Sequence, residues 1–302
     1  MIKRVVLISL ISMSVVSCKK FTNGVVKTIN LPDHEPKIAA FMLADARDSS
    51  LKTIVSETQG ILETRTPSFL AGATISLLQN DTILYSWDTQ DVLDSTYRLE
   101  LGDKLGRLKG EIKMVVDHPE YDLASATQIF PSNPEVNDIK LDYSSVESQG
   151  RMVDKLSIEF KGNSNENQYY MIHAVVHCTD PSIRDTNLYI SCALEPLSQN
   201  VEKVRFANSS LLLPIVLGTP KLQGEDFTIT VNTDIDSSYC QGQQEYKLFI
   251  SSLSEAYYRY IHTNSINSEN QENPFAEPVI IYGNLDGGIG CFGLSTTKIY
   301  RK

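Results

Sequence analysis

The sequence predicts a mainly β chain: two tandem β-sandwich-like domains with one short helix near the C-terminus, behind an N-terminal signal peptide. Three observations predict this. Apolar and polar residues alternate with period two through much of the chain, as in Leu156, Ile158 and Phe160 against Ser157, Glu159 and Lys161. A strand with one buried and one wet face produces that pattern. Short turn-prone groups interrupt the alternation at spacings typical of antiparallel sheets. A single uncharged apolar stretch stands apart at the N-terminus.

That stretch comes first in order. Met1-Ile2-Lys3-Arg4 is a short basic start, and Val5–Ser17 is a run of 13 apolar and small residues without charge. A membrane-spanning helix needs about 20 residues, so the run fits the apolar core of a secretory signal over residues 1–17 instead. Val15-Val16-Ser17-Cys18 resembles a bacterial lipobox, in which the cysteine thiol receives a diacylglycerol, the signal is cut before it, and the new amine is acylated, palmitate being the usual label. Cys18 is therefore the expected lipid-attachment residue, and residues 18–24 the tether. Several acyl chains on one residue anchor firmly, at about 0.8 kcal/mol per buried methylene. No later run approaches membrane-span length.

The first domain is expected over residues 25–131. Its strands fall near 25–31, 37–45, 51–58, 72–78, 83–88, 95–101, 110–116 and 124–130. Ile75 and Leu77, then Ile83, Tyr85 and Trp87, flank Gln79-Asn80-Asp81 and predict a hairpin. Seven or eight short strands over this length fit an Ig-like or transthyretin-like sandwich. Pro131-Ser132-Asn133-Pro134-Glu135 reads as a linker.

The second domain follows over residues 132–302. Its strands are expected near 138–144, 153–160, 168–178, 187–194, 226–233, 244–252, 277–283 and 289–300. Two segments break the rhythm. Val201–Pro220 has no clean period and reads as a long loop with at most a short strand. Ser252-Leu253-Ser254-Glu255 has the form of a capping box, with Glu255 reaching back to the Ser252 amide. Tyr257, Tyr260 and Ile261 then recur at helical spacing, so the helix is expected over 254–264, with polar, Asn-rich chain from Ser265 to Pro274 after it.

Charge excludes one class of partner. Asp+Glu number 37 against 27 Lys+Arg, a net charge of −10. Without Lys3 and Arg4 the basic residues fall to 25. Such a body lacks the basic footprint that nucleic acid requires, and it does not adhere electrostatically to anionic lipid.

The search for chemistry finds little. Beyond Cys18 there are Cys178, Cys192, Cys240 and Cys291, which an exported chain can oxidise in three pairings. Cys178 ends one apolar run and Cys192 sits in the next, so a cross-strand bridge between them is geometrically open, as are buried free thiols. No C-x-x-C occurs, and no metal ligand set or cofactor motif stands out. His173 and His177 have the spacing of a zinc pair on a helix, but they lie in an expected strand, where they stand about 13 Å apart at about 3.3 Å per residue. Asp234-Ile235-Asp236-Ser237-Ser238 lacks the spacing of a calcium loop and reads as a solvated turn. Tyr257, Tyr258 and Tyr260 read as core packing ahead of a sugar-stacking surface. No catalytic residue is expected.

The ending carries a resemblance. Glu255-Ala-Tyr-Tyr-Arg-Tyr260, Asn273-Pro-Phe-Ala-Glu-Pro-Val279, Asn284 and Gly287-Gly-Ile-Gly-Cys-Phe-Gly293 form a pattern of aromatic-rich helix, proline-flanked strand, glycine turn and glycine-rich strand. It resembles the C-terminal signature of a Bacteroidetes lipoprotein family known as domain of unknown function 4249. Gly287-Gly288 suits a tight turn, and Gly290 and Gly293 allow a backbone or a ring to approach, so the motif reads as a folding element. The resemblance implies a lipid-anchored outer-membrane protein working beside a TonB-dependent receptor, as an accessory or ligand-binding partner. The small-molecule, peptide or glycan ligand is left open. Surface-exported members of such lipoproteins often carry acidic residues after the anchor. Here Lys19-Lys20-Phe21-Thr22-Asn23 leaves the periplasmic or surface facing open. A structural or adhesive surface lipoprotein is the alternative, and a hydrolase stands behind both.

Overall fold

The computed structural model describes residues 34–60, 68–88, 90–91, 95–101, 105–108, 110–148, 150–162, 168–179, 188–198, 201–203, 215–218, 225–236, 243–270, 277 and 279–302. The architecture below is that of the unit Pro36–Lys302. The expected strand at 25–31 and the lipobox fall outside the described residues.

Among the described residues the chain is mainly β, with one α-helix near its C-terminus. In order come β1 (Ile38–Asp45), β2 (Ser50–Glu57), β3 (Thr74–Gln79), β4 (Thr82–Trp87), β5 (Gln90–Asp91), β6 (Thr96–Glu100), β7 (Glu111–His118) and β8 (Tyr121–Ile129). Then follow β9 (Val136–Ser148), β10 (Arg151–Phe160), β11 (Tyr169–Thr179), β12 (Leu188–Cys192), β13 (Leu194–Pro196), β14 (Val201–Lys203), β15 (Ile215–Gly218), β16 (Phe227–Asp236), β17 (Gln243–Leu253), α1 (Glu255–Asn270) and β18 (Ile289–Arg301).

These strands form three sheets. A ten-stranded sheet runs β14-β15-β11-β17-β18-β1-β2-β6-β5, with β12 added on β11. Two four-stranded sheets, β4-β3-β7-β8 and β13-β16-β10-β9, pack on it. The large sheet thus supplies one wall of two sandwiches. The first core joins Met42, Leu51, Val55, Ile75, Trp87 and Met114 with Phe292 and Leu294. The second joins Leu156, Phe160, Val176, Val231, Leu248 and Ile250, with Tyr300 packed against it. Phe292, Leu294 and Tyr300 lie on one face of β18, so that strand serves the first core at its start and the second at its end. β18 runs parallel to β1, pairing Ala39 with Ile289 through Asp45 with Ser295, and antiparallel to β17 from Ser295 onward. The Pro131–Glu135 segment is irregular and is fastened to β18: Thr296 donates to the Pro131 carbonyl at 2.8 Å and Tyr300 to that of Pro134 at 3.1 Å.

Each core holds one organising tyrosine. Tyr97 is fully buried, and its hydroxyl donates to the Leu70 carbonyl and accepts the Ala73 N–H, at 2.7 and 2.9 Å. Tyr246 donates to the buried Asp154 carboxylate at 2.5 Å, and the other oxygen of Asp154 accepts the Ser144 N–H at 2.8 Å. Asp154 sits at the register shift between Val153 and Lys155, which turns its side chain into the core. Burial, and then the Asp154 carboxylate, push the Tyr246 hydroxyl far above its ordinary value.

Four expectations are corrected. The helix reaches Asn270, beyond 264; Ser268 donates to the Asn264 carbonyl inside it, and Asn270 donates to the Glu277 carbonyl at 3.0 Å past its end. Its N-cap is Ser254, not Ser252: Ser252 is still paired in β17, while the Ser254 hydroxyl accepts the Tyr257 N–H at 3.4 Å. The 277–283 segment is no strand where it is described, since side chains replace the ladder there. Val201–Pro220 carries two short strands, β14 and β15, that pair with each other.

Candidate functional site

The C-terminal signature is built around the first half of β18. That half lies beyond the end of β17, so one edge of it would expose unpaired backbone groups. Asn284 closes this edge. Its amide donates to the Phe292 carbonyl at 3.0 Å, its side-chain oxygen accepts the Phe292 N–H at 2.9 Å, and its own N–H donates to Gly290. One side chain thereby copies the pairing of a strand residue. Ser254 continues the seal, accepting the Leu294 N–H at 3.1 Å while its own N–H donates to the Leu294 carbonyl.

The glycines make the fit possible. Gly290 has φ +129°, and a Cβ there would lie 1.9 Å from the Ala40 oxygen. A Cβ at Gly293 would meet Tyr257 at 2.8 Å and Leu43 at 2.9 Å. The backbone and the ring expected to approach these glycines are both present. Tyr257 is half-buried against Leu253 and Ile261, Tyr258 stacks on Tyr169 at 4.6 Å, and Tyr260 lies 5.5 Å from Phe41. The tyrosines therefore pack α1 onto the sheet.

Two open clefts flank the Phe130–Ser132 stretch, where the sandwiches adjoin. One, of about 860 Å³, is bounded by Arg47, Ser49, Arg107, Ser132, Asn133 and Thr297. The other, of about 890 Å³, carries Glu111, Gln128, Tyr169 and Glu255. Guanidinium groups thus line one side of the stretch and carboxylates the other. Arg47 is positioned by Asp45, whose Oδ1 accepts the Arg47 N–H and Nε at 3.0 and 3.3 Å. The Oδ2 of Asp45 accepts the Ser295 and Thr297 hydroxyls at 2.9 and 2.5 Å. Burial raises the Asp48 carboxyl beside it. The Arg47 guanidinium also lies 5.8 Å from the Phe249 ring centre, and Phe249 stacks on His173 at 4.4 Å. Burial, and secondarily Arg47, push His173 down to about 4, so its imidazole is neutral near pH 7.

The arrangement can hold hydroxyl-bearing or anionic ligands by hydrogen bonds. Among the described residues no group of three or more His, Cys, Asp and Glu side chains could hold a metal. His173 and His177 stand in β11 as expected, each stacked on its own ring, Phe249 and Tyr189. Asp234 lies inside β16, not in a turn, and accepts the Ala193 N–H at 2.8 Å.

The cysteines need a correction. Cys178 is disulfide-bonded, but Cys192 is free and buried, so the two are not partners. The register explains it: Cys178 faces Leu188 while Cys192 faces Ala174, four residues away along β11. The partner of Cys178 lies outside the described residues, as does Cys18. Burial pushes the Cys291 thiol up to about 12, and that thiol donates to the Ala256 carbonyl at 3.6 Å. No sequence pattern points to Arg47 or Arg107, and Asn284 stands in the C-terminal motif without a stated role.

Comparisons with known proteins complete the description. The sequence model of a family described as "Domain of unknown function (DUF4249)" matches residues 28–301. No curated protein matches the sequence. A β-glucuronidase from glycoside hydrolase family 2 aligns in structure over 72% of this chain and 19% of its own, at 8% identity and TM-score 0.22. The alpha-2-macroglobulin of E. coli aligns over 76% of this chain and 14% of its own, at 10% identity and TM-score 0.26. The chain thus spans less than a fifth of either protein.

Proposed function

Because the chain belongs to the DUF4249 family, we propose that it is an outer-membrane lipoprotein, acylated on Cys18, that serves a TonB-dependent nutrient transporter as a non-catalytic accessory or ligand-binding partner. The observation that carries the reading is Val15-Val16-Ser17-Cys18 at the end of a charge-free run too short to span a bilayer. The mainly β body agrees with it, because wide sheet faces and inter-sandwich clefts suit recognition. The cleft that holds Arg47, Arg107, Ser132 and Asn133 is the place where a hydroxyl- or carboxylate-bearing nutrient would be held.

Cells expressing the wild-type chain and Cys18→Ala are fed labelled palmitate. The wild type takes up label and stays in the envelope fraction; the variant does neither. A wild type without label overturns the anchor. Affinity capture of the wild-type protein from envelopes co-purifies a TonB-dependent receptor. Repeated capture without one, where the receptor is expressed, overturns the partnership.

A further inference from the structure

The outer face of the ten-stranded sheet is covered by α1 along β18 and left open at one end. Phe41 and Ile54 are direct partners across β1 and β2, and opposed residues of such a pair share a face. Ile289 opens β18 beside Ala39. Phe41 and Ile289, with Tyr260, Ile281, Tyr282 and Leu285, line a pocket of about 350 Å³ that contains no charged side chain. The isoleucines around it are open to solvent: Ile54 is 50%, Ile280 90%, Ile281 39% and Ile289 54% exposed. Aliphatic groups gathered in this way mark a contact surface.

Three observations indicate what covers it. The chain that leads from Cys18 enters the sheet here: a Cβ on Gly288 would lie 2.7 Å from the Ile38 oxygen, and Ile38 is the first residue of β1. The rim is interfacial in character. Tyr260 and Tyr282 carry polar tips on apolar rings, the Arg259 guanidinium sits 4.2 Å over the Tyr282 ring, and Lys37 is exposed where the chain enters. Finally, the patch offers side chains and no free strand edge. β1 lies between β2 and β18, and Asn284 occupies the edge of β18.

We propose that this isoleucine patch seats the body on the bilayer, its aliphatic tips in the interfacial zone and its tyrosines and Arg259 at headgroup depth. The inference rests on the acylation of Cys18 proposed above. The body as a whole is acidic and is repelled by anionic lipid, so the part that enters the membrane is the uncharged pocket with its isoleucines, the cations Lys37, Lys52 and Arg259 lying around it, and zwitterionic lipid is its match. The tether limits how far the body strays, and the patch sets which way it faces.

The acylated full chain is reconstituted in vesicles of phosphatidylethanolamine and phosphatidylcholine, some with brominated acyl chains. A fluorophore is placed through Ile280→Cys or Ile289→Cys, and for comparison through Tyr143→Cys or Met152→Cys on β9 and β10; the native Cys192 and Cys291 are buried. Brominated lipid quenches the probes at 280 and 289 about threefold or more over those at 143 and 152. Ile54→Asp with Ile289→Asp removes the quenching at 280 while the chain still floats with the vesicles. Flotation with equal quenching at all four positions overturns the seat alone. Loss of flotation in the unsubstituted chain overturns the acylation, and the seat with it. Silence at 280 in vesicles, with cross-linking from 280 to an envelope protein in cells, assigns the patch to a protein partner and overturns the seat.

Discussion

The two halves of β18 solve one problem in different ways. From Ser295 onward its edge is paired by the backbone of β17, a solution available to almost any sequence. From Ile289 to Leu294 the same edge is paired by the side chains of Asn284 and Ser254, helped by the N–H of each. A backbone partner constrains residue identity weakly. A side-chain partner demands one residue type in one place, and the close approach of its segment demands glycine. The difference explains why the recognisable signature gathers around residues 284–293 while Ser295–Arg301, in the same strand, carries none.

The largest way to break this contrast is Gly290→Ala. The added methyl would lie 1.9 Å from the Ala40 oxygen at a φ of +129°, so the strand must shift away from β1. We expect a loss of about 4 kcal/mol or more, or no folded protein, read by urea denaturation. Asn284→Leu comes next, leaving the Phe292 N–H and carbonyl without partners at a cost of about 2–4 kcal/mol. Asn284→Asp keeps the acceptor and loses the donor, so it should recover part of that loss. If Asn284→Leu is neutral in denaturation, the side-chain seal is not what holds this half.

The face beside the second half adds a pH arm. His173 is paired in register with Phe249, which is itself paired with Ile299. Its folded value of about 4 lies below the usual value near 6.5, so the unfolded chain binds the proton more readily between them. The stabilisation is full above about pH 6.5 and is lost as pH falls towards 4, by at most about 3 kcal/mol. His173→Phe keeps the ring stack on Phe249 and should flatten that slope. The smallest effect is expected at Lys298→Ala in the backbone-paired half. Its exposed side chain overlies Tyr300 and acts weakly on the exposed Glu135, and a change below about 0.5 kcal/mol should be found. A large effect at Lys298 would erase the contrast.

What was legible in the sequence follows the same division. Period two is a local property, so most strands, the β3–β4 hairpin and the presence of a late helix could be read from neighbouring residues. Pairing across the chain is not local. Nothing near residue 290 states that its strand lies beside β1, or that Phe292 completes a core begun at Ile38. The cysteines show this limit in small form. Cys178 and Cys192 sit in strands that do pair, yet the register sets them four residues apart. Asn284 was visible as a letter in a motif, but its part as a stand-in for a strand residue depends on β17 ending at Leu253. Arg47 and Arg107 share a cleft only because β1, β2 and the turn at 105–107 meet there, a meeting that no spacing announces.

The parallel union of β1 with β18 has a temporal consequence. The first layer cannot close during synthesis until residues 289–295 have been made, because they form the strand that lies beside β1. Until then the first core stands open where Phe292 and Leu294 will pack. A product that stopped before β18 would lack Phe292 and Leu294 in one core and Tyr300 against the other, and both would be open to proteolysis.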